Sequence, residues 1–426
     1  MFTHSPQSFE IPYGSSSVPL QLTPDLYADV ILPPESPPLP DPLHQVEQAL
    51  EHPLNGFSYQ SLGAGQSVAI AVNDKTRPVP HHLLLPPLLA RLEALGYPPQ
   101  QIKLIIATGT HTPATRQEIE ASLPSGVLER YPVLSHNCDD LEQLVYLGVT
   151  SRQTPIWVNR SFYEADQRIV VGNIEPHHFM GFSGGVKSAA IGLAGRETIN
   201  PNHAMLIDPL ARMGEFDHNP MRQDIEEIGQ RIGVHLALNT VMNRHKQIVK
   251  VFAGRPLDVM RAGMDASRQV CQIPVSHVYD LAIASPGGHP KDINLYQAQK
   301  AITHAAHIVR DGGVVLLAAA CPEGSGSAAF EAFVEDVSGY EEVFRKFKQL
   351  GFRVGPHKAF QIAREAARIH LMLLSEIPPQ LVQKFLLQPV PTLQEGFHEA
   401  LSLFAEQPRI ALMPYATNTI PIIQGD

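Results

Sequence analysis

Two imidazoles and a glycine-rich turn stand just before a single lysine in the stretch Ile174-Glu-Pro-His-His-Phe-Met-Gly-Phe-Ser-Gly-Gly-Val-Lys-Ser188. Asn200-Pro-Asn-His203 follows within about a helix length; Asp74-Lys-Thr-Arg-Pro78 and Ala107-Thr-Gly-Thr-His111 lie upstream, and Tyr296-Gln-Ala-Gln-Lys300 downstream. A lysine among spaced histidines, with further cations elsewhere, suggests a tethered cofactor, a metal and an anionic substrate. Gly181–Ser188 fails the Walker pattern, because Val186 stands where its last glycine is required. Gly184 and Gly185 still lead toward a helix, where backbone N–H groups can meet a phosphate. His177, His178 and His203 form no zinc motif, since H-E-x-x-H is missing and no cysteine lies nearby. One imidazole can nevertheless ligate a metal whose other ligands come from a bound cofactor. Arg77 is a natural bidentate partner for a carboxylate or phosphate, next to Asp74 and Thr76 in a turn-forming sequence. The ordinary pKa of histidine suits His111 to acid–base work. Gln297 and Lys300 lie one helical turn apart, so both can point at one ligand. His304 and His307, further along that helix, read as structural or exposed.

These residues need rigid elements beneath them. Short β-rich runs alternate with helical stretches from residue 67 onward. Ser67–Asn73, Gln101–Thr108 and Arg168–Asn173 read as strands, and His81–Leu95, Arg116–Ser122 and Val186–Leu193 as helices. Pro86 and Pro87 are expected to break or kink the first of these. His235–Met242 and Gln247–Phe252 suggest a hairpin, followed by a helix over Leu257–Val270. A second series runs Asp280–Ala284 (strand), Leu295–Val309 (helix), Gly313–Ala319 (strand), Phe360–Leu374 (helix), Leu393–Phe404 (helix) and Arg409–Met413 (strand). Alternation of this kind predicts an α/β protein with mainly parallel sheets. We expect two α/β domains, residues 1–272 for cofactor and catalysis and 273–426 for closing on substrate, with the last residues packing back on the first. Ligands of such sheets bind beyond the carboxyl ends of strands. The polar clusters fall there, after Asn73, after Ala107, at Asn173–His178 and at Ser285-Pro-Gly-Gly-His289, which predicts an active site in the cleft between domains.

Composition narrows the function classes. At 426 residues two domains are the default. A net charge of -10 argues against nucleic acid as a partner. Cys138, Cys271 and Cys321 are scattered and odd in number, which fits a reducing cytoplasm. No signal peptide is read at the N-terminus, and the longest apolar runs are too short to span a bilayer, so no membrane partner is expected.

Read together, the motifs resemble the lactate racemase family, the nickel-pincer nucleotide racemases and epimerases of 2-hydroxy acids. The resemblance runs in order through Ile11-Pro-Tyr-Gly14, Asp74-x-Thr-Arg-Pro78, Ala107-Thr-Gly-Thr-His111, Glu175-Pro-His177, Gly181-Phe-Ser-Gly-Gly-x-Lys187, Asn200-Pro-x-His203 and Tyr296-Gln-Ala-Gln-Lys300. It implies two cofactors in one group: nickel, and pyridinium-3,5-bisthiocarboxylic acid mononucleotide, joined to a lysine as a thioamide. By motif, Lys187 is the covalent tether, His203 the nickel ligand, and His111 and His177 the acid–base pair. Asp74, Thr76, Gly184 and Gly185 then bind cofactor, while Arg77, Tyr296, Gln297 and Lys300 bind substrate. The implied reaction is reversible hydride transfer from substrate C2 to the pyridinium, with a small 2-hydroxy acid as substrate and cofactor-synthesis enzymes as transient partners. The C–H at that carbon is too weak an acid for histidine alone, so an electron sink is required and the cofactor carries the hard chemistry. Two other classes stay open: a different metal-dependent lyase or epimerase on this scaffold, and a non-catalytic nickel-nucleotide carrier. Retention of both His111 and His177 disfavours the carrier, which needs no paired bases.

Overall fold

The computed structural model describes residues 7–62, 67–77 and 79–424. Pro78, the last residue of the Asp-x-Thr-Arg-Pro motif, lies outside them. The chain forms two compact units, each α/β. One is Glu35–Val270, and the other joins the segment up to Pro34 to everything from Cys271 onward.

The first unit is built on a six-stranded sheet. Its order is Ile248–Gly254, Leu236–Met242, Gln167–Asn173, Val68–Asn73, Ile102–Ala107 and Val133–Ser135. All neighbours are parallel except the hairpin of the first two, which is antiparallel as its short connection requires. The central strand Val-Ala-Ile-Ala-Val is buried at every residue from Val68 to Val72, as a strand covered on both faces must be. The helix His81–Ala94 covers one face with Leu84, Leu85, Leu88, Leu89 and Leu92. Of the two outcomes expected at Pro86 and Pro87, a break or a kink, the break does not occur, and both lie inside the helix. Pro86 is exposed and Pro87 partly so, which lets water reach the carbonyls they leave unbonded, while the leucine face holds the helix down.

The second unit carries an all-parallel sheet in the order Gln388–Pro389, His370–Leu374, Val309–Ala318, Tyr279–Ala284, Ile410–Met413 and Ala28–Val30. The last strand is a difference from the expected boundaries: Ala28–Val30 pairs with Ile410–Met413, so residues up to Pro34 group with the C-terminal half. The hairpin Gln7–Tyr13/Ser16–Leu22 adds Ile11, Leu20 and Leu22 to the same core. The terminal strand Ile420–Ile423 pairs with Gln272–Val275, within this unit. A second difference concerns Phe360–Leu374, which is not one helix. The helix is Pro356–Ala366, and His370–Leu374 is a strand beside Val309–Ala318. A short apolar run buried in a parallel sheet looks the same as a buried helical segment in periodicity alone. No described helix is long and apolar enough to cross a membrane, and Cys138, Cys271 and Cys321 are buried.

Candidate active site

Three neighbouring strands of the first unit end in the polar clusters singled out above. Val68–Asn73 leads to Asp74, Ile102–Ala107 to Thr108–His111, and Gln167–Asn173 to the His177 segment. Asp74 is buried, and its Oδ2 lies 2.7 Å from His111 Nδ1. Its other oxygen accepts from the Thr76 hydroxyl at 2.6 Å and the Thr76 N–H at 3.2 Å. Burial opposes ionisation of this carboxyl, but the bonds from His111 and Thr76, with the charges of His111 and Arg77, hold it below the usual carboxylate range. An ionised carboxylate can only accept, so His111 Nδ1 donates in this bond, and whenever the ring is neutral its lone pair lies on Nε2. The His111 side chain is half exposed. Gly109, at φ 57, makes the turn between these residues and donates its N–H to Gly192 O at 2.9 Å, tying the His111 loop to the turn after Lys187.

His177 lies in a small hairpin, Pro176–His177 against Gly181–Phe182. Its ring is buried, stacked on His178 at 4.7 Å and 12°, and its Nδ1 accepts the Met180 N–H at 3.3 Å. The two histidines therefore differ: His111 leans on a carboxylate and His177 on a peptide donor. Phe179 touches both His177 and, edge-on at 5.8 Å, His203.

Lys187 opens a helix of a single turn, Lys187–Ala190, shorter than the expected Val186–Leu193. The glycine turn before it is fixed from below. Gly185 N–H donates to Asn239 Oδ1 at 2.8 Å, and the fully buried Arg222 donates to Phe182 O at 3.0 Å and Gly184 O at 3.2 Å while pairing with Glu226. The Gly185 N–H is thus committed to protein and not held open for a phosphate. At Gly184, φ 89, a Cβ would lie 2.5 Å from Ile174 and 2.9 Å from Asn173 O, so this pair of glycines lets the chain pass close to the strand end. Burial, then the charges of Arg77 and Arg222, push the Lys187 amine down to about 7.

His203 sits near the end of the helix Arg196–Ala204. Its Nδ1 lies 2.9 Å from Ile199 O, which places the proton there and leaves Nε2 as a donor to a metal. Burial and the neighbouring Lys187 charge press its pKa down to about 3, so the ring stays neutral at physiological pH. Among the described residues no three His, Cys, Asp or Glu side chains gather into a metal site. A metal at His203 would take its other ligands from a bound group, and the buried Ser183 Oγ, without a protein partner, is one polar atom such a group would find.

In the second unit, Tyr296, Gln297 and Lys300 share the half-buried face of the helix Leu295–Ala306, opposite Ala298, Ala301 and Ile302. Asn294 caps this helix through Gln297 N–H at 3.1 Å, and Lys300 Nζ donates to Gln297 Oε1 at 2.7 Å. His304 is structural, buried with Nδ1 2.6 Å from Ala416 O. Sequence reasoning missed Asn239, Arg222 and Glu226. Asn239 had a signal, a lone amide inside the apolar strand Leu236–Met242, whereas Arg222 and Glu226 looked like an ordinary surface pair one helical turn apart.

Residues 13–214 match a family model described as the lactate racemase N-terminal domain, and residues 275–420 one described as the lactate racemase C-terminal domain. The chain is similar to a lactate racemase of Lactiplantibacillus plantarum, 27% identical over 417 residues, 96% of this chain and 98% of that one. It is 31% identical to a lactate racemase of Thermoanaerobacterium thermosaccharolyticum over 350 residues, covering 81% and 82%. The solved structure of the lactate racemase apoprotein from that organism has a TM-score of 0.89, with 27% identity, across 98% of this chain and 100% of its own. A Thermotoga maritima crystal structure, 16% identical, shares the fold at a TM-score of 0.64 over 90% and 97%.

Proposed function

We propose, from the premise that the chain belongs to the lactate racemase family and is an isomerase of the racemase class, that it interconverts the enantiomers of a lactate-type 2-hydroxy acid with a nickel-pincer nucleotide joined to Lys187. The observation that carries this reading is the pair Lys187 and His203. A lysine whose amine is about half unprotonated at pH 7 can be acylated, and a neutral imidazole near it would offer Nε2 to a metal. This donor set fits the group: one covalent anchor, one metal ligand, and a requirement that the remaining ligands come with the cofactor. When bound, the group supplies a reversible acceptor for the hydrogen on substrate C2 together with its electron pair.

The chain's own residues do the rest. His111 takes the substrate hydroxyl proton at Nε2, and Asp74 stabilises the imidazolium that results. His177 is the candidate for the same proton of the opposite enantiomer, a role its Nε2 can take once Nδ1 gives up the Met180 N–H and carries the ring proton itself. In the first unit Arg77 is the cation suited to the substrate carboxylate; in the second, Tyr296, Gln297 and Lys300 are the residues assigned to substrate binding. Asp74 and Thr76 support this reaction through His111, a more direct role than binding the cofactor.

The test is intact-protein mass spectrometry, nickel analysis and chiral chromatography on protein co-produced with cofactor-synthesis enzymes. The expected result is an adduct on Lys187, bound nickel, and racemisation of D- or L-lactate. Nickel-loaded, modified protein that racemises no 2-hydroxy acid would return the lyase or carrier readings.

A further inference from the structure

The helix Pro220–Ile232 buries more than an apolar stripe. Met221, Ile225, Ile228 and Ile232 turn inward, but Arg222, Asp224 and the capping residue Asn219 are also 0% exposed. Burying charges and amides costs free energy unless each finds a partner. Here each has a partner on a segment that carries an assigned residue. Asn219 Nδ2 donates to Phe179 O at 2.9 Å, two residues past His177. Arg222 donates to Gly184 O, and the same oxygen accepts the Lys187 N–H at 3.3 Å. Asp224 accepts from Asn202 Nδ2, on the residue before His203, at 2.9 Å, and from the Thr150 hydroxyl at 2.6 Å.

Asn202 is itself 0% exposed, and it spends Nδ2 on this helix alone, at Asp224 and at Met221 O, 3.0 Å away. Its Oδ1 is buried without a partner among the described residues. The amide is kept despite that cost, which singles out its two bonds to the helix as what it contributes. Arg222 and Asp224 stand two residues apart, so they point to different sides of the helix and reach both segments at once. Further along, Gly229 lets the helix lie against Val186, where a Cβ would come within 2.5 Å of that side chain.

A cofactor anchored at one residue and ligated through its metal by another has a fixed length. Its two holders must keep a matching separation, since metal–ligand distances tolerate only about 0.2 Å. The chain between Lys187 and His203 is ill suited to keep it. It runs through a single helical turn, Lys187–Ala190, and then a helix with Pro201 inside it. We propose that the helix Pro220–Ile232 is the gauge that sets this separation. Arg222 is the positioning residue for the anchor Lys187, and Asp224, through Asn202, is the positioning residue for the metal ligand His203. The inference rests on the readings of Lys187 and His203 given above.

The experiment uses full-length protein co-produced with cofactor-synthesis enzymes. Intact-protein mass spectrometry reads the Lys187 adduct, and metal analysis after dialysis against graded EDTA reads nickel affinity. In Asp224→Asn the new amide can accept from Thr150 or Asn202 but not from both, and Asn202→Ala removes the link outright. Both should keep the adduct while nickel affinity falls by about 10–100-fold, the range for lost support of a metal ligand. Arg222→Lys keeps the charge but not the fork that spans two carbonyls. It should carry the adduct on a minor fraction of molecules, and those should hold nickel as wild type does. Should it not fold, the double variant Arg222→Met/Glu226→Met, which removes both charges together, takes its place. Ile225→Val, which thins the apolar side of the same helix, should lower Tm with adduct and nickel unchanged. Wild-type nickel affinity in Asn202→Ala, full adduct in the Arg222 variant, or nickel loss in Ile225→Val equal to that in Asp224→Asn overturns the proposal. If wild type acquires neither an adduct on Lys187 nor nickel, the reading of those two residues fails, and this inference falls with it.

Discussion

At the scale of single residues, the division of labour separates by chemistry. Lys187→Ala should abolish the covalent adduct, and His203→Ala should lose nickel while keeping it, both read by peptide mass spectrometry with metal analysis. Asp74→Asn turns the group facing His111 from a pure acceptor into one that also donates, so His111 loses its fixed tautomer and the stabilisation of its charged form. We expect turnover to drop by roughly 10²–10⁴-fold, the range for general acid–base catalysis, with nickel and adduct unchanged. Loss of nickel in Asp74→Asn would mean that the carboxylate serves the cofactor after all. A pH effect follows from Lys187 in protein made without cofactor. Its amine sits near 7 in the fold and near 10.4 in the unfolded chain, so between those values the unfolded state binds more protons. Stability should rise as pH goes from about 7 toward 10, and the penalty for charging the amine is complete below 7. Denaturant titrations across that window should show the slope in wild type and a smaller one in Lys187→Met.

At the scale of elements, the site depends on turns that admit no side chain. Gly181, in the hairpin that carries His177, has φ 71, and a Cβ there would lie 1.8 Å from Glu215 O. Gly148 has φ 93 but open space around it. Gly148→Ala should cost about 1–2 kcal/mol from backbone strain alone, whereas Gly181→Ala should reach the severe end of point substitutions, about 4 kcal/mol or more, with loss of activity. Thermal melts of the two variants decide whether it is contact or conformation that demands glycine. The strands bearing Asp74, His111 and His177 were legible because their apolar runs are short, β-rich and closed by polar clusters. The supporting layer was not. Nothing in Pro220-Met-Arg-Gln-Asp-Ile-Glu226 announces that Arg222 turns inward to bond the glycine turn, because an arginine buried by tertiary packing has no local signature. The dyad of Asp74 and His111 was hidden for the same reason, its partners lying in loops that follow different strands. His370–Leu374 was misread because its four apolar residues, Leu371 to Leu374, fit a helix and a buried strand equally well.

At the scale of the whole molecule, one unit is continuous in sequence and the other is not. A fragment of residues 35–270 should therefore unfold cooperatively by itself, seen by circular dichroism, whereas 271–426 should lack its edge strand and hairpin and fold poorly. Appending residues 7–34 after residue 424 through a flexible linker should restore it; equal stability with and without that segment would mean that the strand Ala28–Val30 contributes little. The pairing of Ala28–Val30 with Ile410–Met413 also sets a clock on the ribosome. About 380 residues separate the partners, so at about 5–20 residues per second the early strand waits roughly 20–80 s for its template to emerge. An unpaired strand in a nascent chain invites the wrong neighbour. This one is only three residues long, carries Asp29 at its centre, and is followed by Pro33, Pro34, Pro37, Pro38 and Pro40, none of which can donate to a ladder. Those prolines make the newborn segment a poor partner for anything but the strand it is waiting for.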